Sequence, residues 1–226
     1  MLWRLRLVYP HGTNYTHIGM EVMGLTGKRL AQVVTLTQLF LLEASYMLVN
    51  TQSLAAVFYE LDLCKPTWGI FMAFLLLPFV QIRTLNNVSL LSLISGVMVF
   101  FVLALCVVEM AIHGREPHVH TALVESSPPF VWFRAVSSMV FACGSQFVYL
   151  EIMSEMQSVK DFPPALGRAA SFIITAYISI SAAGYWTYGR HVPSYVVDVI
   201  PNGPFRRIAN VFMLIHTMVS YILMSQ

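Results

Sequence analysis

Charged residues are scarce in this 226-residue sequence. They make up 11% of it, against about 25% in ordinary soluble domains, whereas 57% of the residues are hydrophobic. A soluble protein of this size could not cover its surface with so few charges, so we expect most of the surface to face lipid. The formal net charge of only +2 argues against a nucleic-acid partner.

Cysteines and catalytic motifs are equally sparse. The three cysteines, Cys64, Cys106 and Cys143, are odd in number and lie in or beside apolar segments, so they indicate neither a disulfide framework nor metal ligands. We find no glycine-rich phosphate loop, no catalytic-triad pattern and no zinc signature. The sequence therefore predicts a protein that is not an enzyme and holds no metal or cofactor.

Long apolar runs, by contrast, fill most of the chain. A helix needs roughly 17 to 25 residues to cross about 30 Å of hydrocarbon, and six runs approach or reach that length. Backbone polar groups cannot go unpaired in lipid, so these runs are predicted to be helices. The predicted fold class is all-α: one polytopic transmembrane domain over residues 1–226, with spans at about 31–49, 66–82, 88–112, 130–153, 170–188 and 208–225.

The fourth span contains "FACGSQFVYLEIMSEM" (residues 141–156), which carries polar residues where lipid is deepest. Counted from Phe130, residues 143–146 begin about 20 Å along the helix, just past the midplane. A glycine costs backbone entropy there, and serine and glutamine side chains compete for backbone hydrogen bonds. One interpretation is therefore a helix broken at the midplane, as in transporter binding sites. Small residues are also typical of close helix packing, so both interpretations stay open.

Three stretches resemble one family. The stretch just quoted is similar to the sixth helix of the amino acid/auxin permease family, also called the amino acid transporter transmembrane domain, with its Leu-Glu-Ile motif. "AAGYWTYGRHVPSYVV" (residues 182–197) resembles the end of the family's seventh helix. "YTHIGMEVMGLTGKRL" (residues 15–30) is similar to the loop before its third helix. The order and spacing of all three stretches agree with the family.

This resemblance implies that the six spans are helices three to eight of about eleven, so the chain is expected to be a fragment. The implied fold is a partial inverted-repeat helical bundle like that of the sodium-coupled leucine transporter, in the APC superfamily. In that fold, helices one and six are both broken at the substrate site. Helix one, and with it half of the site, is expected to lie outside this chain.

The resemblance also implies the substrate-binding residues. Tyr46 matches a site-facing tyrosine of the family's third helix, although an interfacial tyrosine explains it equally well. Many relatives have a histidine where this chain has Ser145 or Gln146, which leaves the substrate and the coupling ion open. Free backbone groups at the break would bind an amino acid's carboxylate and ammonium. The implied break comprises Ala142, Cys143, Gly144, Ser145 and Gln146.

Three titratable residues inside the spans are candidates for ion or proton coupling. Glu43 lies near the middle of its span, where a charge costs about 2.5 to 3.5 kcal/mol on insertion scales, so it should face the bundle interior. Glu151 belongs to the Leu-Glu-Ile motif, and His216 lies in the sixth span. Each has a structural alternative: an ion pair for either glutamate, and a hydrogen-bonded interior position for the histidine.

Together, these features predict a secondary active transporter of amino acids, working by alternating access and coupled to protons, with sodium as the other coupling ion considered. We expect an amino acid substrate, no nucleic acid, and a plasma, vacuolar or other endomembrane location; the oligomeric state is open. The alternatives are a membrane amino acid sensor or regulator that does not transport, or an incomplete gene model without independent activity. A chain without helix one is expected not to transport by itself.

Overall fold

The chain forms eight α-helices in a computed structural model that describes residues 2–81, 88–117, 119, 121–122 and 128–225. This part of the chain contains no strand, so the predicted all-α class is confirmed. Prolines in the first turns of four helices preset the backbone angle that a helix start needs. The helices are α1 (Leu2–Val8), α2 (Tyr15–Val57), α3 (Lys65–Val80), α4 (Val88–His113), α5 (Pro129–Ala142), α6 (Tyr149–Glu155), α7 (Phe162–Tyr188) and α8 (Pro204–Met224).

Helix lengths confirm the polytopic membrane class. Helix α3 has 16 residues and coincides with the predicted span 66–82, whose last residue, Ile82, lies outside the described residues. Whether α3 alone crosses a membrane stays a prediction, because a crossing needs about 20 residues. The other five predicted spans each overlap a described stretch that is long and apolar enough to cross: Tyr15–Val57, Leu90–His113, Pro129–Glu155, Val159–His191 and Pro204–Met224.

Helix α2 turns sharply at Gly24. The φ of 63° and ψ of −148° at this residue are non-helical, and a side chain would be strained there. A Cβ added to Gly19 would lie 2.6 Å from the Gly27 carbonyl oxygen, so the chain folds back and brings the two backbones together. In a straight helix the Cα atoms of Gly19 and Gly27, which are eight residues apart in sequence, would be about 12 Å apart. The family resemblance compared residues 15–30 with a loop. In the structure they are helical on both sides of the turn at Gly24.

The described chain divides into two compact units. The first comprises Met1–Gln38 and Ala122–Ala176. Helix α1 packs against α6, and the Trp3 Nε1 donates a hydrogen bond to the Val159 carbonyl oxygen at 2.9 Å. These contacts hold α6 in place. The buried cluster of this unit consists of Ile18, Leu150, Met153 and Phe162.

The second unit comprises Leu39–Thr121 and Tyr177–Gln226. Helices α4 and α8 pack against each other, and the connection between α7 and α8 packs against both. This connection folds into the core, because its apolar residues are buried together with those of the two helices. The buried cluster consists of Val102, Cys106, Met110, Tyr195, Val197, Val199, Ile200 and Ala209.

Candidate functional site

The helix of the fourth predicted span is interrupted in the middle. Helix α5 ends at Ala142, and Cys143 and Gly144 have ψ values of 4° and 15°, outside the helical range. The 3₁₀-helix Ser145–Val148 follows, and α6 begins directly after it. The interruption thus runs over residues 143–148; it includes four of the five residues named from the family resemblance, whereas Ala142 is the last residue of α5. The role of these five residues in substrate binding stays a prediction.

The interruption leaves backbone groups without helical partners. The Cys143 amide still donates to the Met139 carbonyl oxygen at 3.1 Å, and the Gly144 amide to the Phe141 carbonyl oxygen at 3.0 Å. The next two amides open the 3₁₀-helix, and the first amides of a helix have no acceptor within it. The break therefore offers N–H donors in a stretch where an unbroken helix would have used them all.

An open groove lies beside the break in the first unit. Its volume is about 630 Å³, within the range of roughly 300–1,000 Å³ typical of small-molecule sites. The break contributes Gly144 and Gln146, whereas Ala142, Cys143 and Ser145 are not among the lining residues. The remaining walls consist of Tyr15, Val34, Thr35, Gln38, Phe133, Val136, Ser137, Val140, Phe141 and Phe147.

Sequence reasoning missed the polar residues that face the break across this groove. The Tyr15 hydroxyl donates to the Gln146 carbonyl oxygen at 2.8 Å. Thr35 and Gln38 of α2 and Ser137 of α5 also line the groove. Thr35 and Gln38 are three residues apart and share one helix face, a spacing that could have indicated them. The contact of Tyr15 has no local signal, since its partner is 131 residues away.

Tyr46 and Glu43 belong to the second unit. Tyr46 is half-buried, and its side chain lies beside Ser220 and Tyr177. Glu43 is also half-buried and lies near Tyr221. Among the residues that the structure describes, no ion pair includes Glu43. The proposed roles of both residues stay predictions.

The other two coupling candidates have different surroundings. Glu151 is exposed in the first turn of α6, with Glu155 one turn further along. His216 is half-buried in α8, and its Nδ1 lies 2.8 Å from the Ser95 Oγ and 3.1 Å from the Ser95 carbonyl oxygen. Nδ1 can donate to the carbonyl oxygen or accept from the Ser95 hydroxyl, so this geometry fits either tautomer. Proton coupling by either residue stays a prediction.

A second set of polar groups is buried in the second unit and paired there. The Tyr195 hydroxyl lies 2.8 Å from the Ser53 Oγ and donates to the Asn210 Oδ1 at 2.9 Å. The Asn210 Nδ2 donates to the Arg206 carbonyl oxygen at 2.8 Å. Burial raises the pKa of Tyr195 to about 12, against the opposing effect of the Ser53 hydrogen bond. Because these groups satisfy one another, we assign them a structural role.

Comparison with models of known protein families identifies the family of this chain. The model of the family described as "Transmembrane amino acid transporter protein" matches residues 2–226. The chain belongs to the transmembrane amino acid transporter family. This confirms the resemblance found in the three sequence stretches, and it agrees with the all-α membrane fold of this transporter domain.

Several curated plant proteins are similar to the transporter domain. It is 24% identical to "Amino acid transporter AVT1D" of Arabidopsis thaliana, over 82% of this chain and 35% of the relative. It is 28% identical to "Lysine histidine transporter-like 3" of the same plant, over 62% and 33%. It is 23% identical to "Putative auxin transporter-like protein 4" of Oryza sativa subsp. japonica, over 73% and 35%. The chain thus spans about a third of these relatives, which are named as transporters and not as enzymes. No solved structure matches it significantly.

Proposed function

We propose that the protein is a secondary active transporter that moves neutral amino acids across a membrane by alternating access, coupled to protons. Membership of the transmembrane amino acid transporter family supports the substrate class. The observation that carries the proposal is the break between α5 and α6 beside the 630 Å³ groove. We place the protein in the plasma membrane or in a vacuolar or other endomembrane.

The break suits the carboxylate of an amino acid. Irregular backbone at membrane depth is tolerated where it lines a cavity, and Gly144 and Gln146 line the groove. Broken helices in transporters direct free backbone groups and half-helix ends at charged substrate groups. Here the two amides that open the 3₁₀-helix Ser145–Val148 are the donors we assign to the carboxylate.

The rest of the groove suits the side chain of a neutral amino acid. Phe133, Val136 and Val140 of α5 form an apolar wall, on which an aliphatic or aromatic side chain would be shielded from water. Thr35 and Gln38 supply hydroxyl and amide groups on the facing helix for the ammonium group. A site of this kind combines a few polar groups with a mainly apolar lining, as small-molecule sites usually do.

Proton coupling needs a group that changes its charge during the cycle. Glu43, Glu151 and His216 are the candidates within the helices, because carboxylate and imidazole side chains both accept protons and ionisable groups inside membranes mark ion and proton pathways. We therefore propose protons as the coupling ion. The uptake experiment described next tests a sodium gradient separately.

Uptake into proteoliposomes tests the transport proposal. The native transcript is first sequenced at both ends, and its complete reading frame is reconstituted. An inward proton gradient should drive saturable uptake of labelled neutral amino acids, a protonophore should abolish it, and a sodium gradient alone should not replace it. Amino acid binding without flux under either gradient would identify a sensor and contradict the proposal.

Gly144→Ala tests the role of the break. A Cβ at this position would lie 3.1 Å from the Phe141 carbonyl oxygen and 3.3 Å from that of Val140, so the backbone must shift. Misplacing a binding group by about 1 Å can cost on the order of a hundredfold in rate. The shift needed here is only a few tenths of an ångström, so we expect uptake to fall several-fold. Gly167→Ala in α7 is the control, because a Cβ there meets nothing within 4 Å. Equal uptake by both variants would contradict a role for the break.

A further inference from the structure

The second unit contains a smaller cavity that the transport proposal does not use. Its volume is about 270 Å³, and it lies where the C-terminal end of α2, the first residue of α3 and the first turn of α8 come together. Three charged side chains line it: Lys65, Asp198 and Arg206. This cavity is called the terminal cavity below, after its place at the helix ends.

Arg206 is already occupied within the protein. One terminal nitrogen of its guanidinium donates to the Asp198 Oδ1 at 2.5 Å, and the other donates to the Asn202 Oδ1 at 2.7 Å. The guanidinium therefore holds Asp198 in position at the cavity wall. Each terminal nitrogen thus makes one of these bonds, whereas the buried Nε has no hydrogen-bond partner among the described residues.

Asp198 keeps one oxygen available. Its ion pair with Arg206 uses Oδ1, and within the described part of the chain no hydrogen bond is recorded for Oδ2. The Asp198 side chain is 42% exposed, so a ligand can reach it. An ionised carboxylate oxygen in this position is an acceptor for an ammonium group.

Lys65 supplies the opposite charge. It is exposed at the start of α3, and neither of the ion pairs found among the described residues includes it. With two cationic side chains and one carboxylate, the lining carries a net charge of +1. The ammonium group of Lys65 thus offers three unused donors for the carboxylate of a ligand.

We propose that the terminal cavity binds one free α-amino acid as a zwitterion. The ligand's ammonium group bonds Asp198 Oδ2, its carboxylate bonds the Lys65 ammonium, and its side chain lies against the apolar wall formed by Leu48, Ala55 and Tyr59. The identity of the ligand as an amino acid rests on the proposed function, whereas the paired charges require a small zwitterion. This site lies wholly in the second unit, and the break lies wholly in the first.

A fluorophore on Cys64 gives a signal specific to the terminal cavity. Cys64 is exposed and directly precedes Lys65, whereas Cys106 is buried. Cys143→Ser removes the other exposed thiol of these 226 residues, and any cysteines outside them are replaced by serine, so the dye attaches at one position of the purified full-length protein in detergent. Leucine should change the fluorescence saturably. A signal that does not saturate or does not change would overturn the proposal.

Charge variants assign the signal to the two proposed contacts. Lys65→Gln leaves the pair of Arg206 and Asp198 intact and should weaken leucine binding at least about tenfold, since hydrogen bonds between charged groups are the strong ones. Asp198→Asn should weaken it similarly. Lys160→Gln and Asp161→Asn, exposed positions of the first unit, are the matched controls and should bind normally. Unchanged affinity in Lys65→Gln would sink the assignment, even if Asp198→Asn is unstable.

Leucine analogues separate a zwitterion site from a simple ion site. 4-Methylpentanoate lacks the ammonium group and isoamylamine lacks the carboxylate, so each should bind at least about tenfold more weakly than leucine. Binding of either analogue as tight as that of leucine would overturn the zwitterion assignment. Gly144→Ala should lower uptake and leave the Cys64 signal unchanged. The proposed transport and the terminal cavity can therefore fail independently of each other.

Discussion

The break between α5 and α6 and the connection between α7 and α8 are both non-α-helical, yet their polar groups are in opposite states. In the connection, Tyr195 is buried and its hydroxyl is paired with Ser53 and Asn210. At the break, Gln146 is exposed at the groove, and its side chain makes no hydrogen bond within the described part of the chain. The neighbouring Ser145 does not line the groove, and its hydroxyl lies 3.0 Å from the Tyr149 hydroxyl. Polar groups paired inside the chain stabilise the fold, whereas those left at an open groove remain available to a ligand.

The physical reason is the cost of an unpaired polar group away from water. Such a group costs several kcal/mol in hydrocarbon, so the chain must either pair it internally or expose it to a water-filled cavity. The connection between α7 and α8 pairs its polar groups internally, whereas the break exposes polar groups to the groove. Substitutions that remove partners should therefore lower stability at the connection and lower binding or uptake at the break.

The largest loss of stability is expected for Tyr195→Phe. This change leaves the buried Ser53 and Asn210 side chains without their shared partner, and each unsatisfied buried group costs about 1–3 kcal/mol. Chemical denaturation in detergent measures the loss. Tyr177→Phe is the matched control, because Tyr177 is 41% exposed and should lose little. Similar stability of the two variants would show that the buried network does not stabilise this unit.

The ionisation of Tyr195 gives a second, pH-dependent effect. Its pKa is about 12 in the folded protein because of burial, against about 10 in an unfolded chain. Below pH 10 both states keep the proton and its contribution to stability is complete. Between pH 10 and 12 only the unfolded state ionises, so the free energy of unfolding should fall by roughly 2–3 kcal/mol.

The pH effect is measured by comparing the unmodified protein with the Tyr195→Phe variant. The free energy of unfolding is measured from pH 8 to pH 12 for the unmodified protein and for Tyr195→Phe, since all other titrating groups are common to both. The difference between their stabilities should shrink as the pH rises through this window. A constant difference would mean that Tyr195 titrates at its ordinary pKa.

The smallest change in stability is expected when both members of a buried hydrogen-bonded pair in the second unit, Asn50 and Thr217, are replaced together. Asn50 is fully buried, its Oδ1 accepts from the Thr217 hydroxyl at 2.6 Å, and its Nδ2 has no partner among the residues that the structure describes. Replacing both partners by apolar groups of similar shape can be nearly neutral. Asn50→Leu combined with Thr217→Val should thus change the free energy of unfolding by less than about 1 kcal/mol. Thr217→Val alone should cost more, because it leaves both polar atoms of Asn50 unpaired.

Much of the helical architecture could be predicted from apolar run length, because a membrane helix pairs its own backbone and needs no distant partner. The turn at Gly24 was missed, since a helix that folds back on itself depends on the close approach of Gly19 and Gly27. The break was one of two interpretations of the Gly-Ser-Gln sequence. Local propensity could not decide between them, because both a break and a packing contact use small residues.

The candidate site was predictable only in its local part. Residues 142–146 are consecutive, so a sequence stretch could indicate them together. The Tyr15 hydroxyl reaches the Gln146 carbonyl across 131 residues, and the Ser53 hydroxyl reaches Tyr195 across 142. Nothing in a sequence read residue by residue specifies such contacts. They follow from how the helices pack in each unit.

The buried connection between α7 and α8 also limits how the chain can be engineered. Loops usually tolerate inserted residues because they lie on the surface. Here Val197, Val199 and Ile200 are 0%, 7% and 3% exposed, so an epitope tag or a protease site placed among them would have to displace the core. Insertions belong instead beside exposed positions outside this connection, such as Gln157. This connection, although it is not an α-helix, should be as intolerant of inserted residues as the middle of α4 or α8.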